Sequence, residues 1–470
     1  MTGKTLLVLG TLCTLLPFRA GSQSTTDMAV LKGLAPVTIL SKTPEGTAAL
    51  AANYTVTGSI QTGAIRQSTL LPFAEQQQQA LRDAFITDGD LAQLADGLGT
   101  TLGASYLGRT HYIDQTNFTN ISQSVATLIA YANATTGINS NAGKYFFANA
   151  TTDGKTPVSA EAKALLKKIG GETDIFGKSY GLPAGTSGAD AFGDSRPFQT
   201  EPSVSPIIGP DYFNVPADNW VYNRGPMMNL IDSPSYPSGH TTYGYTGALI
   251  LAVLVPDRYQ QMIARGAEYG NDRILMGAHY AMDVIGGRTL AIYDMAHLLA
   301  NDPAYVGRTL QGAPTINDFQ AAMRTARADV TTALRAACGK TIQECAREDT
   351  GRLSNPAANE AFYAGTQTYS LPIVYSQTYA AVENVGKLAP EAGYLLTVAF
   401  PTLTLEQADQ ILTETEGPGG GFLDDGSSFG VYSRLNLYAA SGKAAALASG
   451  QSYSDRRGNS SQKATTTAHD

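Results

Sequence analysis

Five histidines occur in the 470 residues, and two stand in settings that can do chemistry. GAHYAMDVIGGR places His279 four residues before Asp283. On a helix that spacing puts the pair on one face, one turn apart. The carboxylate can then accept a proton from one ring nitrogen and leave the other as a lone-pair nucleophile. Taken alone, the pair is better read as a helix-start histidine with an incidental acidic neighbour. The stretch SPSYPSGHTTYGY adds a turn that opens an apolar run. The N–H groups at such a helix start bind anions. There Ser238 offers a hydroxyl donor, Gly239 lets the backbone approach closely, and His240 can protonate a leaving oxygen. Two guanidiniums suited to planar, multi-donor binding of phosphate or carboxylate complete the set: Arg196 in GDSRPF and Arg273, six residues before His279.

In chain order these residues read RP, PSGH and R-x5-H-x3-D. The pattern resembles the PAP2 superfamily, which includes class A bacterial acid phosphatases, lipid phosphatases and vanadium haloperoxidases. Its motifs read K-x6-RP, PSGH and SR-x5-H-x3-D. The resemblance covers about residues 190 to 290, and FLDDGSSFGVYSRLNLYAA is similar to the C-terminal part of larger soluble bacterial members. Asp272 stands where the family has serine, and Ala189 where it has lysine. Lys178 is the nearest upstream lysine that a longer loop can deliver, with Lys167 and Lys168 behind it.

The resemblance implies an acid phosphatase, a phosphoric monoester hydrolase. His279 would attack phosphorus to form a phosphohistidine, with Asp283 holding and polarising it. His240 would protonate the leaving alcohol and then activate water. Arg196, Arg273, Ser238, Gly239 and Lys178 would bind the phosphate oxygens, with no metal and no cofactor, on a small phosphomonoester substrate. The implied fold is mainly α, a helical bundle of the acid phosphatase–haloperoxidase type with long loops and N- and C-terminal extensions. A vanadium-dependent haloperoxidase is the alternative, with vanadate in the same cage on His279. Two further readings carry less: a non-enzymatic phosphate-binding protein, and a GDS-type serine esterase using Gly193-Asp194-Ser195 with Asp294 and His297. In the esterase pattern the serine follows a strand near the N-terminus, whereas here it follows a glycine-rich loop deep in the chain.

The elements that must position these residues are mostly helical. Helical patterns cover 74–106, 120–133, 156–169, 241–255, 257–275, 279–301, 315–337 and 404–415. Residues 23 to about 70 look irregular. Residues 171–239 are rich in Gly, Pro, Ser and Asp, and a long stretch of that kind usually carries function. GPGGG at 417–421 reads as a flexible connector, and strand-like alternation is scarce. No apolar run reaches the roughly 18 residues needed to cross a bilayer, so no stable membrane insertion is expected.

Composition narrows the classes further. Hydrophobic content of 43% with 15% charged residues is that of a globular protein, and a net charge of −8 supplies no basic face for nucleic acid. The start MTGKTLLVLGTLCTLLPFRAGSQS has a lysine, an apolar run and then small residues, the layout of a secretory signal. We therefore divide the chain into a signal peptide (1–22), an N-terminal helical and loop extension packed on the core (23–150), a core with its C-terminal extension (151–440) and a flexible tail (441–470). A secreted or periplasmic location follows. Cys13 would leave with the signal, and Cys338 and Cys345 would close a small disulfide loop. Six N-x-S/T triplets, the first at Asn53, suit an exported protein. The oligomeric state is left open.

Overall fold

The computed structural model describes residues 25–64, 69–86, 89–114, 117–140, 196–200, 235–310 and 312–450, with Ala160, Ala164, Lys168, Ile207 and Gly209 as isolated positions. Counting α-helices of six residues or more among the described residues, the chain forms α1 (Thr25–Leu34), α2 (Pro44–Gln61), α3 (Phe73–Asp83), α4 (Thr100–Leu107) and α5 (Gln123–Ser140). After these come α6 (Gly239–Leu254), α7 (Tyr259–Leu275), α8 (Ala281–Leu299), α9 (Phe319–Cys338) and α10 (Ile342–Arg347). α11 (Pro356–Thr368), α12 (Leu405–Glu414) and α13 (Leu437–Ala448) complete the series. A two-stranded antiparallel hairpin, His111–Asp114 with Asn117–Thr119, is the one sheet among the described residues. The fold is mainly α, as the sequence led us to expect.

Helix α6, GHTTYGYTGALILAVL, is buried along nearly its whole surface and apolar all round in its second half, as a central helix must be. It packs against α5, α7, α8 and α9. Leu249, Ile250, Leu251 and Val253 are fully buried in one cluster with residues of α4, α5, α9 and the C-terminal helices. A second cluster joins α1 and α2 to the start of α8 and to Phe422 and Phe429. Arg288 of α8 is buried as well and donates to the carbonyls of Thr366, Gln367 and Ser433, so it ties the C-terminal segments to the same helix. No helix among the described residues is long and apolar enough to cross a membrane.

Three expectations need correction. Residues 25–61 are largely helical rather than irregular. Their β-branched and glycine content gives low intrinsic propensity. Two things outweigh it: Thr43 caps α2 with Pro44 at the first position, and the helix is buried against α7 and α8. Residues 441–448 do not begin a tail, because α13 buries Ser441, Gly442, Ala444 and Ala446. GPGGG is pinned, not flexible: Val374 and Tyr375 donate to the Gly420 carbonyl, and the Gly420 N–H donates to Asp424. Of the helix read at 156–169, only isolated positions are described. Cys338 and Cys345 form a disulfide linking the end of α9 to α10.

Beneath α7 lies a buried ionic network. Arg265 grips Asp83 through two bonds of 2.6 and 2.7 Å and reaches Asp96 at 2.8 Å. Arg352 joins Glu268 to Asp96, and Arg82 also meets Asp96. Asp272 is buried at the edge of this network and shares a hydrogen bond with Asp83. Burial, followed by the nearby charges of Asp83 and Glu268, pushes its carboxyl well above the usual range. The folded state therefore holds a proton on Asp272 that the unfolded chain releases. Its contribution is complete below the unfolded carboxylate pKa and is lost as pH rises through the folded one. Asp272→Asn keeps a donor toward Asp83 without needing that proton. Its Tm should fall less than that of the wild type between about pH 5 and 8, by about 2 °C or more in a calorimetric series; parallel curves would refute the shared proton.

Candidate active site

The turn before α6 and the loop between α7 and α8 bring the chemistry-bearing residues together. Ser238 is the N-cap of α6, and its Oγ accepts from the Thr241 N–H at 3.1 Å and from the Thr241 hydroxyl at 2.9 Å. Its own O–H remains available to donate. Gly239 is the first helical residue, so its N–H belongs to the set that lacks an intrahelical acceptor. The turn is seated on α8: the Ser238 N–H donates to the Asp283 carbonyl, and the Thr242 hydroxyl donates to that of Gly287. Close approach is allowed by Gly287, where an added Cβ would lie 2.4 Å from the Ser238 carbonyl oxygen. The peptide bond before Pro237 is cis.

Arg273 lies fully buried in the last turn of α7, whose buried run continues to Leu275, and His279 follows in the connecting loop. The expected helix-face pairing of His279 with Asp283 is corrected here. Asp283 is the third residue of α8, but His279 precedes the helix and is held by bonds from the Ala278 and His279 N–H groups to the Arg273 carbonyl. Asp283 Oδ2 accepts the Tyr280 N–H at 2.8 Å and lies 3.6 Å from His279 Nδ1. Ser235 bridges that gap. Its hydroxyl donates to Asp283 Oδ2 and lies 3.5 Å from His279 Nδ1, while its carbonyl accepts from the ring. Sequence reasoning passes over Ser235, although it sits in SPSYPSGH; only the fold shows what it touches.

With Nδ1 turned to Ser235, Nε2 faces the other groups. His240 Nδ1 is 3.2 Å from it and Arg196 Nη1 2.9 Å. Arg196 also donates to the Ala278 carbonyl at 3.0 Å, and the Phe198 N–H donates to that of Gly277, so the RP segment is docked on the same loop. His240 rests edge-on to His279 and tilted against Tyr243. Burial first, then the guanidiniums of Arg273 and Arg196, hold His240 well below the ordinary histidine range. His279 is lowered as well, by burial, then by Arg196, His240 and Arg273, against the opposing bond from Ser235. Both rings are therefore neutral at neutral pH. Two guanidiniums, a helix start and two neutral imidazoles lie around one point, an arrangement that can hold an anion beside an unprotonated ring nitrogen.

Lys178, Lys167 and the Gly193-Asp194-Ser195 triplet lie outside the described residues; Lys168 is exposed. Asp294 and His297 are engaged away from each other. Asp294 accepts from Tyr305, and His297 pairs with Asp302 at 2.7 Å. Among the described residues, no cluster of three or more His, Cys, Asp or Glu is placed to hold a metal.

Residues 185–301 match the PAP2 superfamily model. Over 64 residues the chain is 45% identical to a non-specific acid phosphatase of Salmonella typhimurium, covering 14% of this chain and 26% of that protein. An acid phosphatase of Zymomonas mobilis is 48% identical over 64 residues, 14% of this chain and 24% of its own. A non-specific acid phosphatase of Providencia stuartii is 39% identical over 79 residues, 17% and 32% respectively. The chain thus spans about a quarter to a third of the length of these curated relatives.

Two outcomes follow from the geometry. In Arg196→Gln, the His240 and His279 rings lose a charge that lowers both, so their NMR titrations move to higher pH; unchanged titrations would refute the assigned proximity. Gly287→Ala forces the Ser238 turn away from α8, at the roughly 1–3 kcal/mol typical of overpacking. A drop in Tm of several degrees is the expected reading.

Proposed function

We propose that the protein is an exported acid phosphatase that hydrolyses small phosphomonoesters through a phosphohistidine on His279. The observation that carries this reading is His279 Nε2 facing His240 and Arg196 at 3.2 and 2.9 Å, with Nδ1 engaged by Ser235. The PAP2 match, and the acid phosphatases similar to this segment, support the same reaction. The signal-like N-terminus and the disulfide support export.

In this reading the phosphoryl group enters between the two rings. Arg196, Arg273, the Ser238 hydroxyl and the Gly239 N–H take its equatorial oxygens, where charge concentrates in the transition state. Lys178 is a further candidate for the same oxygens. The His279 Nε2 lone pair forms the N–P bond as the ester P–O bond breaks, and His240 gives its proton to the leaving oxygen. A water then gives a proton to His240 and attacks phosphorus, the N–P bond breaks, and inorganic phosphate leaves. Asp283, through Ser235, holds the His279 ring in place. Guanidinium and backbone donors supply the positive field, so the scheme needs no metal.

The depressed histidines give the pH dependence its sign. His279 stays neutral, and so nucleophilic, into the acid range. His240 carries the proton needed by a leaving alkoxide only at acid pH, until the charge of the bound phosphoryl group raises it again. Turnover therefore falls as pH rises.

The test is hydrolysis of p-nitrophenyl phosphate in the presence of EDTA. His279→Ala should lose at least about 1,000-fold in kcat, the scale of losing a nucleophile that acts as part of a unit. His240→Ala should retain the first step with this good leaving group and accumulate labelled phosphoenzyme, trapped at alkaline pH. Full activity in His279→Ala would sink the mechanism. Halide oxidation dependent on added vanadate and peroxide, without prior phosphatase activity, would favour the haloperoxidase instead.

A further inference from the structure

Helix α2 carries an unusual stripe. Asn53, Thr57 and Gln61 recur every four residues and so share one face. Asn53 and Thr57 are both 1% exposed. Each of the three bonds to the backbone that carries His279. Thr57 Oγ1 accepts the Ala281 N–H at 3.1 Å, and Asn53 Oδ1 accepts that of Met282 at 3.0 Å. Gln61 Nε2 donates to the Ile274 carbonyl at 3.2 Å, one residue past Arg273. Tyr54 adds an edge-on contact with the Tyr280 ring, 5.6 Å between centroids.

Helix α8 needs this. A helix start leaves its first N–H groups without acceptors, and Ser, Thr, Asp or Asn at the N-cap usually supplies one. The N-cap of α8 is Tyr280, whose own N–H goes to Asp283. The next two N–H groups are met from α2, more than two hundred residues away in sequence. The bonds from α2 therefore bracket the turn between α7 and α8, with Arg273 at one end, Asp283 at the other and His279 between them. A helix built only for packing would place apolar side chains here. Asn53 instead keeps its Nδ2 buried without a hydrogen-bond partner, at a cost in stability.

We propose that Asn53, Thr57 and Gln61 of α2 form a clamp that positions the His279 loop, making residues far upstream of the motif region part of the site. They are positioning residues, acting through the backbone of the turn and never touching substrate. The proposal rests on the phosphohistidine reading for its kinetic consequence, though not for its structural one.

Asn53→Ala and Thr57→Val each remove one acceptor. Displacing a nucleophile by a fraction of an ångström should lower kcat about 10-fold or more. KM and inhibition by inorganic phosphate should stay within about twofold, because the groups proposed to bind phosphate are retained. Asn53→Asp and Thr57→Ser restore an acceptor and should recover most of the loss. Asn359→Ala removes a buried bond to the Leu353 carbonyl elsewhere, and serves as the control for a purely structural role. It should lower Tm without lowering kcat. A second readout is independent of turnover: amide exchange at Ala281 and Met282 should accelerate, and the His279 NMR titration should shift, in the clamp variants alone. Unchanged exchange and titration would overturn the clamp, as would kcat losses that Asn359→Ala reproduces or that Asn53→Asp and Thr57→Ser fail to restore. Wild type inactive on p-nitrophenyl phosphate would defeat the phosphatase reading, and the exchange and titration data would still decide this one.

Discussion

Two guanidiniums buried beside two imidazoles set the terms for everything else in the molecule. A buried positive charge is costly to hold, and its field is strong where water is excluded. Arg196 and Arg273 therefore do two things at once. Added to burial, which is the larger cause, their charge holds His240 and His279 below the ordinary histidine range, and it makes the space between them favourable for an anion. The scaffold has to hold these groups close together against their mutual repulsion.

It does so largely with bonds to main-chain carbonyls. Arg196 is moored to the Ala278 carbonyl, the Ser238 turn to the backbone of α8, and the His279 loop to the end of α7. Glycine at 287 brings two of these segments into contact without intervening side chains. Ser235 then sets the orientation of the ring with a hydroxyl and a carbonyl from one residue. Behind this layer, the Arg265 network fixes α7 from its far side, with Asp272 neutral so that three carboxylates face three guanidiniums.

How much of this is legible in the sequence differs from residue to residue. His240, Arg273, His279 and Asp283 stand out because PSGH and R-x5-H-x3-D are each complete within a short stretch of chain. Their spacing also survives without any knowledge of tertiary contacts. The helix-face pairing of His279 with Asp283 fails because spacing alone does not reveal that a helix starts at residue 281, between them. Ser235 and Gly287 are silent, since a serine and a glycine acquire meaning only from what lies across the gap. Helix α2 is the hardest case. Its threonines and glycines argue locally against a helix, and tertiary burial overrides that argument. Its function is carried by long-range bonds that no local pattern encodes.

The buried amide of Asn53 has one more consequence. Asn53-Tyr54-Thr55 is an acceptor triplet for N-linked sugar, and the sugar would attach to the Nδ2 atom that the fold encloses. Glycan addition in a eukaryotic secretory host acts on the chain as it crosses the membrane, before α2 can dock. A sugar on this amide and a closed α2–α8 junction are mutually exclusive. The same polypeptide, secreted through a glycosylating pathway, would emerge sorted into two populations by a modification on a helix far upstream of His279 in the chain.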